Sequence, residues 1–280
     1  MSLTAVFDYF SVRPRHPVGD DGRMALSDHF RELRARLLRS VLVLVVVFGV
    51  ALFFYDQLAD LIRVPYDDAV ERLDGKVTSE LTVNDVTGPL MLQLKLCGIV
   101  AVIVSSPYWL YQIWAFILPG LHPSEKKWSR IFVAIAGPLF FAGVALAYYV
   151  MPKALEVLIG FTPAEATNLV DFAKFFSFLA RMFLVFGIAF QIPLFVVMLN
   201  LAGVISGKAL GRYRPWIVLG TFVFAAVATP STDPFSMVIL AVPMLVLFFV
   251  AELLARLIDR RRRRGKESTD NWADDEVSPL

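Results

Sequence analysis

The sequence predicts an all-α integral membrane protein, and three observations carry that prediction. Hydrophobic residues make up 57% of the 280, mean hydropathy is +0.63, and Phe occurs 24 times, well above the apolar share of an ordinary soluble domain. The apolar residues gather into runs of the length a bilayer core requires, roughly 20 residues of helix. Lys and Arg concentrate in some connections and not in others, as in a multi-pass topology. The net charge of +2 says little, because the charges are sorted along the chain and nearly cancel in the sum.

Six spans are predicted. The first runs from about Leu37 to Leu58. The second, about Pro89 to Ser106, is ended by Pro107, which lacks a helix donor and clashes with the preceding turn. An aromatic stretch then follows to Ile117 at or near the interface. The third covers Ser129 to Val150 and stops before Pro152, and the fourth covers Phe172 to Leu201 with a kink around Pro193. The last two, Pro215 to Thr229 and Met237 to Leu254, are short. A 15-residue span reaches only about 22 Å at ~1.5 Å per residue, so the bilayer beside it must thin or the helices must stand upright. Together the spans make a concave, kinked bundle.

Orientation follows from the basic residues. Arg13, Arg15, Arg23, Arg31, Arg34, Arg36 and Arg39 precede the first span; Lys126, Lys127 and Arg130 lie between the second and third; Lys208, Arg212 and Arg214 between the fourth and fifth. Arg256, Arg260 to Arg264 and Lys266 follow the sixth. Both termini are therefore expected in the cytoplasm. The external connections, 59 to 88 and 151 to 171, hold enough apolar residues to form short helices on the outer interface. The expected organisation is a polar cytoplasmic extension over 1–25, a transmembrane domain over 26–258 and a disordered charged tail over 259–280. No cleavable signal peptide is expected, since residues 1–36 are polar and the first apolar run is too long and too poorly flanked for one.

Little in the chain supports catalysis or a metal. His16, His29 and His122 all fall in cytoplasmic segments, so no imidazole relay lies within the spans. HExxH, GxSxG and phosphate-binding glycine loops are absent, which argues against an intramembrane protease or a nucleotide-driven pump. Cys97 stands alone inside an apolar run and reads as a small buried thiol. No enzyme activity, cofactor, metal or nucleic-acid partner is expected, and no internal repeat suggests a transporter of inverted halves.

Ionisable residues inside spans are costly and ask for a role. Lys95 is close enough to the outer face to snorkel. Arg181 lies deeper, about 15 Å into the fourth span, and should face other helices or a wet concavity. Gln191 lies roughly 80° from it around the helix axis, so a shared wet face is possible but not compelled. On the cytoplasmic side, Leu26 to Leu37 has the character of a helix start, with Ser27 as a cap and Asp28 and Glu32 near the positive end of the dipole. Glu32 can pair with Arg36 four residues on, or bind a ligand. Glu125 is the one acid of its basic loop; it can serve a helix start or present a carboxylate to a cationic partner.

HFRELRARL before the first span, Pro65 after it, and PYWLYQIWAFILPGLHPSEKK between the second and third are joined by AYYV, FGIAFQIP, TPSTDPFS and AVPM further on. In that order and spacing, from about Leu26 to Leu257, the chain resembles the TatC family, the multi-spanning receptor subunit of the twin-arginine protein translocase. The resemblance implies a receptor in the bacterial cytoplasmic (inner) membrane. It would bind the twin-arginine signal peptides of folded cargo and assemble, in multiple copies, with small single-span subunits of the TatA/TatB type for export driven by the proton-motive force. It assigns signal-peptide binding to Glu125, Phe116, His29, Glu32, Leu33, Arg34 and Arg36. Gln191, Arg181 and Lys95 are expected as partner-helix or intramembrane polar positions; Pro65, Tyr148 and Asp233 match family positions of structural character, and Pro107, Pro119 and Pro193 are also expected to be structural. Two guanidiniums would meet carboxylates in planar bidentate geometry, amid cations that attract membrane lipids. Many relatives carry a glutamate where this chain has Gln191, so no titrating carboxylate is available there. The rival readings are a small-solute or ion transporter and a membrane scaffold without signal recognition.

Overall fold

The computed structural model describes residues 26–73, 77–117, 126–163, 166–201, 203–228 and 234–270. Within them the chain is helical apart from one pair of short strands. It divides into two compact units, Met1–Ile188 and Ala189–Leu280.

In the first unit, α1 (Leu26–Phe53) runs unbroken from the polar HFRELRARL segment into a Leu- and Val-rich apolar stretch, so the first span merges with the segment before it. The helix breaks at Phe54 and resumes as α2 (Tyr55–Arg72), with Asp56 in its first turn, where the dipole favours an acid. Pro65 sits inside α2 and is fully buried. Having no N–H, it leaves the carbonyl of Leu61 without its helical donor. The hydroxyl of Tyr148 donates to that carbonyl at 3.0 Å.

Next come β1 (Ser79–Thr82), α3 (Gly88–Val104) and α4 (Ser106–Ile117). α3 and α4 are bent by 54° at Ser105, two residues before Pro107. The bend exposes backbone that hydrocarbon would penalise. The Val102 carbonyl, one turn back, accepts the Trp109 indole N–H at 2.9 Å and the Ser105 hydroxyl at 3.4 Å. α5 (Lys126–Gly160) packs on α4 and on α2. It passes through Pro138 and Pro152 without a break, so the third helix reaches further than the expected stop before Pro152. Packing explains the continuation: Met151, Pro152, Ala154 and Leu155 are buried.

The connections expected on the outer side contain a feature that was not expected. β2 (Asn168–Asp171) pairs in parallel with β1, Ser79 opposite Asn168 and Thr82 opposite Asp171. The Tyr66 hydroxyl meets Ser79 Oγ at 2.8 Å, tying α2 to the strands. Asp171 then caps α6 (Phe172–Ala189), its Oδ1 accepting from the Lys174 N–H at 2.9 Å while Oδ2 accepts from Asn84 at 3.2 Å. Within α6, Gly187 abuts the buried Phe140 ring, 2.6 Å from where a Cβ would stand, so only glycine fits without movement. Cys97 is buried and free.

The second unit comprises α7 (Gln191–Leu201), α8 (Gly207–Arg212), α9 (Arg214–Ala228) and α10 (Pro234–Asp270), with α7, α8 and α9 all packed on α10. A kink was expected around Pro193; the helix is interrupted at Phe190, between α6 and α7. The clash of a proline ring with the carbonyl four residues back places a break there. Leu210, Phe248 and Ala255 form a small core with Val196, Ile205 and Ile217 against it. α8 approaches α10 so closely that a Cβ on Gly207 would lie 2.7 Å from the Arg256 backbone nitrogen.

Two expectations need correction here. The last helix is not short: α10 has 37 residues and is apolar enough to cross a bilayer over Pro234–Arg261. Nor is the chain from 259 to 270 without structure, since α10 continues through it. Where the arginine run begins, Arg256 pairs with Glu252 one turn back and Asp259 bonds to Asn200 and to the Gly207 N–H.

Among the described residues four helical segments are long and apolar enough to cross a bilayer: His29–Phe53, Ala134–Gly160, Phe172–Leu201 and Pro234–Arg261. The bent α3–α4 pair makes a fifth if it counts as one span, and α9 has 15 residues. A count of six is reached only with both. Pro119, His122, Glu125 and Asp233 lie outside the described residues, as do the side chains of Ser27 and Asp28.

Candidate functional site

Two polar clusters stand out among the described residues, one in each unit. The first lies near the start of α1. His29, Glu32, Leu33 and Arg36 fall within an arc of about 100° at 3.6 residues per turn, and α4 packs against α1. Two contacts join the helices there. The His29 ring stacks on Phe116 with centroids 4.4 Å apart and planes 18° from parallel. Arg36 Nη1 donates to Gln112 Oε1 at 3.1 Å.

Arg36 also serves its own helix. Its Nε donates to Glu32 Oε1 at 2.8 Å, and Nη2 donates to the same oxygen. Glu32 is only 6% exposed, so its carboxylate is held beside a guanidinium in a nearly closed setting. The i,i+4 pair anticipated from the sequence is formed. A carboxylate already accepting from one guanidinium, next to an aromatic stack, has the chemistry for planar cationic groups. Leu33 and Arg34 are exposed. Arg34 lies about 140° around the helix from His29, off the face that meets α4.

Sequence reasoning missed Gln112. Its signal was present as a lone amide in an otherwise apolar and aromatic helix, four residues before Phe116 and thus on the same face. The structure does not gather the other named residues into this cluster. Lys95 on α3 and Arg181 on α6 are exposed, and Gln191 at the start of α7 is half-buried. Among the described residues no three His, Cys, Asp or Glu side chains come together to hold a metal ion.

The second cluster centres on Glu252, 2% exposed on α10. Arg214 Nε donates to Oε2 and Nη2 to Oε1, both at 2.7 Å, a bidentate pair. Arg256 Nε donates to Oε1 at 2.8 Å. Asp259 accepts from Asn200 Nδ2 at 2.9 Å and from the Gly207 N–H at 2.7 Å. Sequence reading used Arg214 and Arg256 only as markers of orientation and overlooked the acid between them.

Comparison with known proteins gives these clusters a setting. The family model described as Sec-independent protein translocase protein (TatC) matches residues 28–243. The chain belongs to the TatC family. The TatC protein of Frankia casuarinae is 40% identical over 269 residues, covering 93% of this chain and 74% of its own length. Xylanimonas cellulosilytica TatC is 38% identical, covering 94% of this chain and 97% of that one, and Escherichia coli K12 TatC is 32% identical, covering 86% and 92%. Two crystal structures of the twin-arginine translocase receptor TatC, one of them in DDM, are each 32% identical to it. They superpose with TM-scores of 0.68 and 0.71 and cover 82% and 81% of this chain against 98% and 99% of theirs. The chain is thus an all-α membrane component of the Sec-independent protein translocase.

Proposed function

We propose that this TatC-family chain is the signal-peptide receptor of a twin-arginine translocase in the bacterial inner membrane, with six spans and both termini in the cytoplasm. The observation that carries the reading is the junction of α1 and α4, where His29 stacks on Phe116 and Arg36 links Glu32 to Gln112. Residues from two distant segments converge there on one buried carboxylate and one aromatic stack. A signal peptide with consecutive arginines brings two more guanidiniums to such a setting. Glu32 and Glu125 supply the carboxylates, and Leu33 and Phe116 the apolar contacts for the segment that follows the arginines. Glu125 directly precedes α5 in sequence and enters on its chemistry alone.

In this reading the chain acts as a receptor and assembly platform and catalyses no reaction. Small single-span subunits of the TatA/TatB type join it in multiple copies, and the proton-motive force drives export of folded cargo. Lys95, Arg181 and Gln191 are the polar positions proposed to meet partner helices. A Gln191 hydrogen bond across helices contributes about 1 kcal/mol in a bilayer.

The test is photocrosslinking from a probe beside Glu125 to a cargo signal peptide with two arginines or two lysines, in membranes containing this protein. A crosslink that forms with arginines and fades with lysines supports the reading. Equal crosslinking to both peptides, or to neither, would overturn it.

A further inference from the structure

Glu252 and its two arginines have no part in the reading above, and their geometry points to a ligand of its own. Arg214 begins α9, Arg256 lies on α10, and the buried carboxylate of Glu252 grips both. Each arginine side chain is nonetheless 48% exposed. A guanidinium carries five N–H donors in a fixed plane, so the donors not spent on Glu252 are held on the outside of the cluster. A buried acid that orients two half-exposed guanidiniums builds a rigid donor platform.

The surrounding charge is one-sided. Lys208, Arg212, Arg214, Arg256, Arg260 and Arg261 gather at this end of the second unit, with Glu252 and Asp259 as the acids there. Both acids are committed internally, Glu252 to the arginines and Asp259 to Asn200 and Gly207. Among the described residues the positive excess therefore has no internal counter-charge. The apolar surroundings say where the counter-charge sits. Trp216, on the first turn of α9, is 71% exposed, and Tyr213 beside it is also exposed. Aromatic rings of this kind settle at the headgroup level of a bilayer. Further along the two helices, away from the arginine run, Leu219, Val223, Phe249 and Leu253 are exposed apolar side chains. Guanidinium donors above exposed apolar side chains match a molecule with a phosphate at one end and hydrocarbon at the other.

We infer that the α9–α10 end of the second unit is a binding site for an anionic phospholipid. Arg214 and Arg256, oriented by Glu252, bond its phosphodiester; Lys208, Arg212, Arg260 and Arg261 add long-range attraction. The acyl chains lie along the exposed apolar side chains. This inference is independent of signal recognition by the first unit.

The experiment is native mass spectrometry of the full-length protein in detergent with phosphatidylglycerol or phosphatidylcholine at equal concentration. Retention of phosphatidylglycerol is expected to exceed that of phosphatidylcholine at least tenfold. Each basic residue removed near a charged surface weakens the attraction by about fivefold. The triple variant Arg212→Gln, Arg260→Gln, Arg261→Gln, which leaves the Glu252 cluster intact, should therefore bring the preference below about twofold. Equal retention of both lipids, or a preference unchanged in the triple variant, would overturn the inference. So would loss of the preference when millimolar inorganic phosphate is added, since that marks a site for the free anion. A second measurement needs no charge variant. Quenching by lipids brominated in the acyl chains, taken as the difference between the native protein and Trp216→Phe, should be stronger with brominated phosphatidylglycerol than with the phosphatidylcholine analogue. No difference would sink the site.

Discussion

The hydroxyl of Tyr148 on α5 donates to the carbonyl of Leu61 on α2 at 3.0 Å, and that carbonyl is the acceptor that Pro65 leaves without its helical partner. The two residues that the family resemblance marked as structural, Pro65 and Tyr148, are thus halves of one arrangement. Proline removes a donor from α2, and a tyrosine from another helix replaces it. Tyr148→Phe removes that hydrogen bond, with an expected loss of about 1 kcal/mol. Pro65→Ala restores an internal donor for Leu61, so in its presence Tyr148→Phe should cost little. Thermal unfolding of the two single variants and the double variant in detergent measures this coupling. Additive losses would show that the two residues act separately.

The helical membrane fold was legible because apolar runs of spanning length and sorted basic residues are encoded locally. What remained hidden was set by tertiary contacts. β1 and β2 have four residues each, too few for an alternating pattern, and their partners lie far apart in sequence. Just before the arginine run, Asp259 ties α10 to Asn200 and to the Gly207 N–H, contacts that no local pattern reveals. Pro107 announced its bend, yet the Trp109 indole that satisfies the freed carbonyl needed coordinates to be seen. At the candidate site, the pairing of Glu32 with Arg36 followed from i,i+4 spacing, whereas Gln112 joins them only through the packing of α1 on α4.

Glu252 and its arginines should respond unequally to truncation. The carboxylate is buried while each guanidinium is half in the open. Glu252→Leu removes the buried charge and fills its space, and the arginines can turn to water, so only a small fall in unfolding temperature is expected. Arg214→Ala combined with Arg256→Ala strands the acid, and an uncompensated buried carboxylate costs roughly 3–5 kcal/mol. Thermal melts of both variants in one detergent decide the matter. A larger loss from Glu252→Leu than from the double arginine variant would refute the assignment of the burial cost to the acid.

Asp171 gives the fold a dependence on pH at the start of α6. The Lys174 backbone N–H, with Asn84 and Lys174 itself in support, holds the Asp171 carboxyl below its ordinary value. A lowered folded value means that the stabilisation is present above the unfolded carboxylate pKa, about 3.9, and is lost as pH falls through the folded value. Asp171→Ala should lower the unfolding temperature by a few degrees at pH 7, through loss of the cap. Asp171→Asn keeps a capping oxygen without the charge. Its difference from the native protein should be constant between pH 5 and pH 7 and shrink below about pH 4. A difference that grew on acidification would reverse the sign of the argument.

Glu32 and Glu125 are both proposed to meet the arginines of a signal peptide, and Glu32 is tied into the packing of its unit. Glu32→Ala takes two charge-assisted bonds from Arg36, which keeps its bond to Gln112. Hydrogen bonds to charged groups contribute about 1.5–3 kcal/mol, so a measurable fall in stability should accompany the loss of binding. Glu125→Ala should reduce twin-arginine peptide binding at least tenfold while the level and unfolding temperature of the protein stay unchanged. Titration of a fluorescent signal peptide into purified variants, with thermal melts on the same samples, separates the two effects. Loss of stability in Glu125→Ala would make Glu125 part of the folding machinery, and unaltered peptide affinity in both variants would remove the carboxylates from recognition altogether.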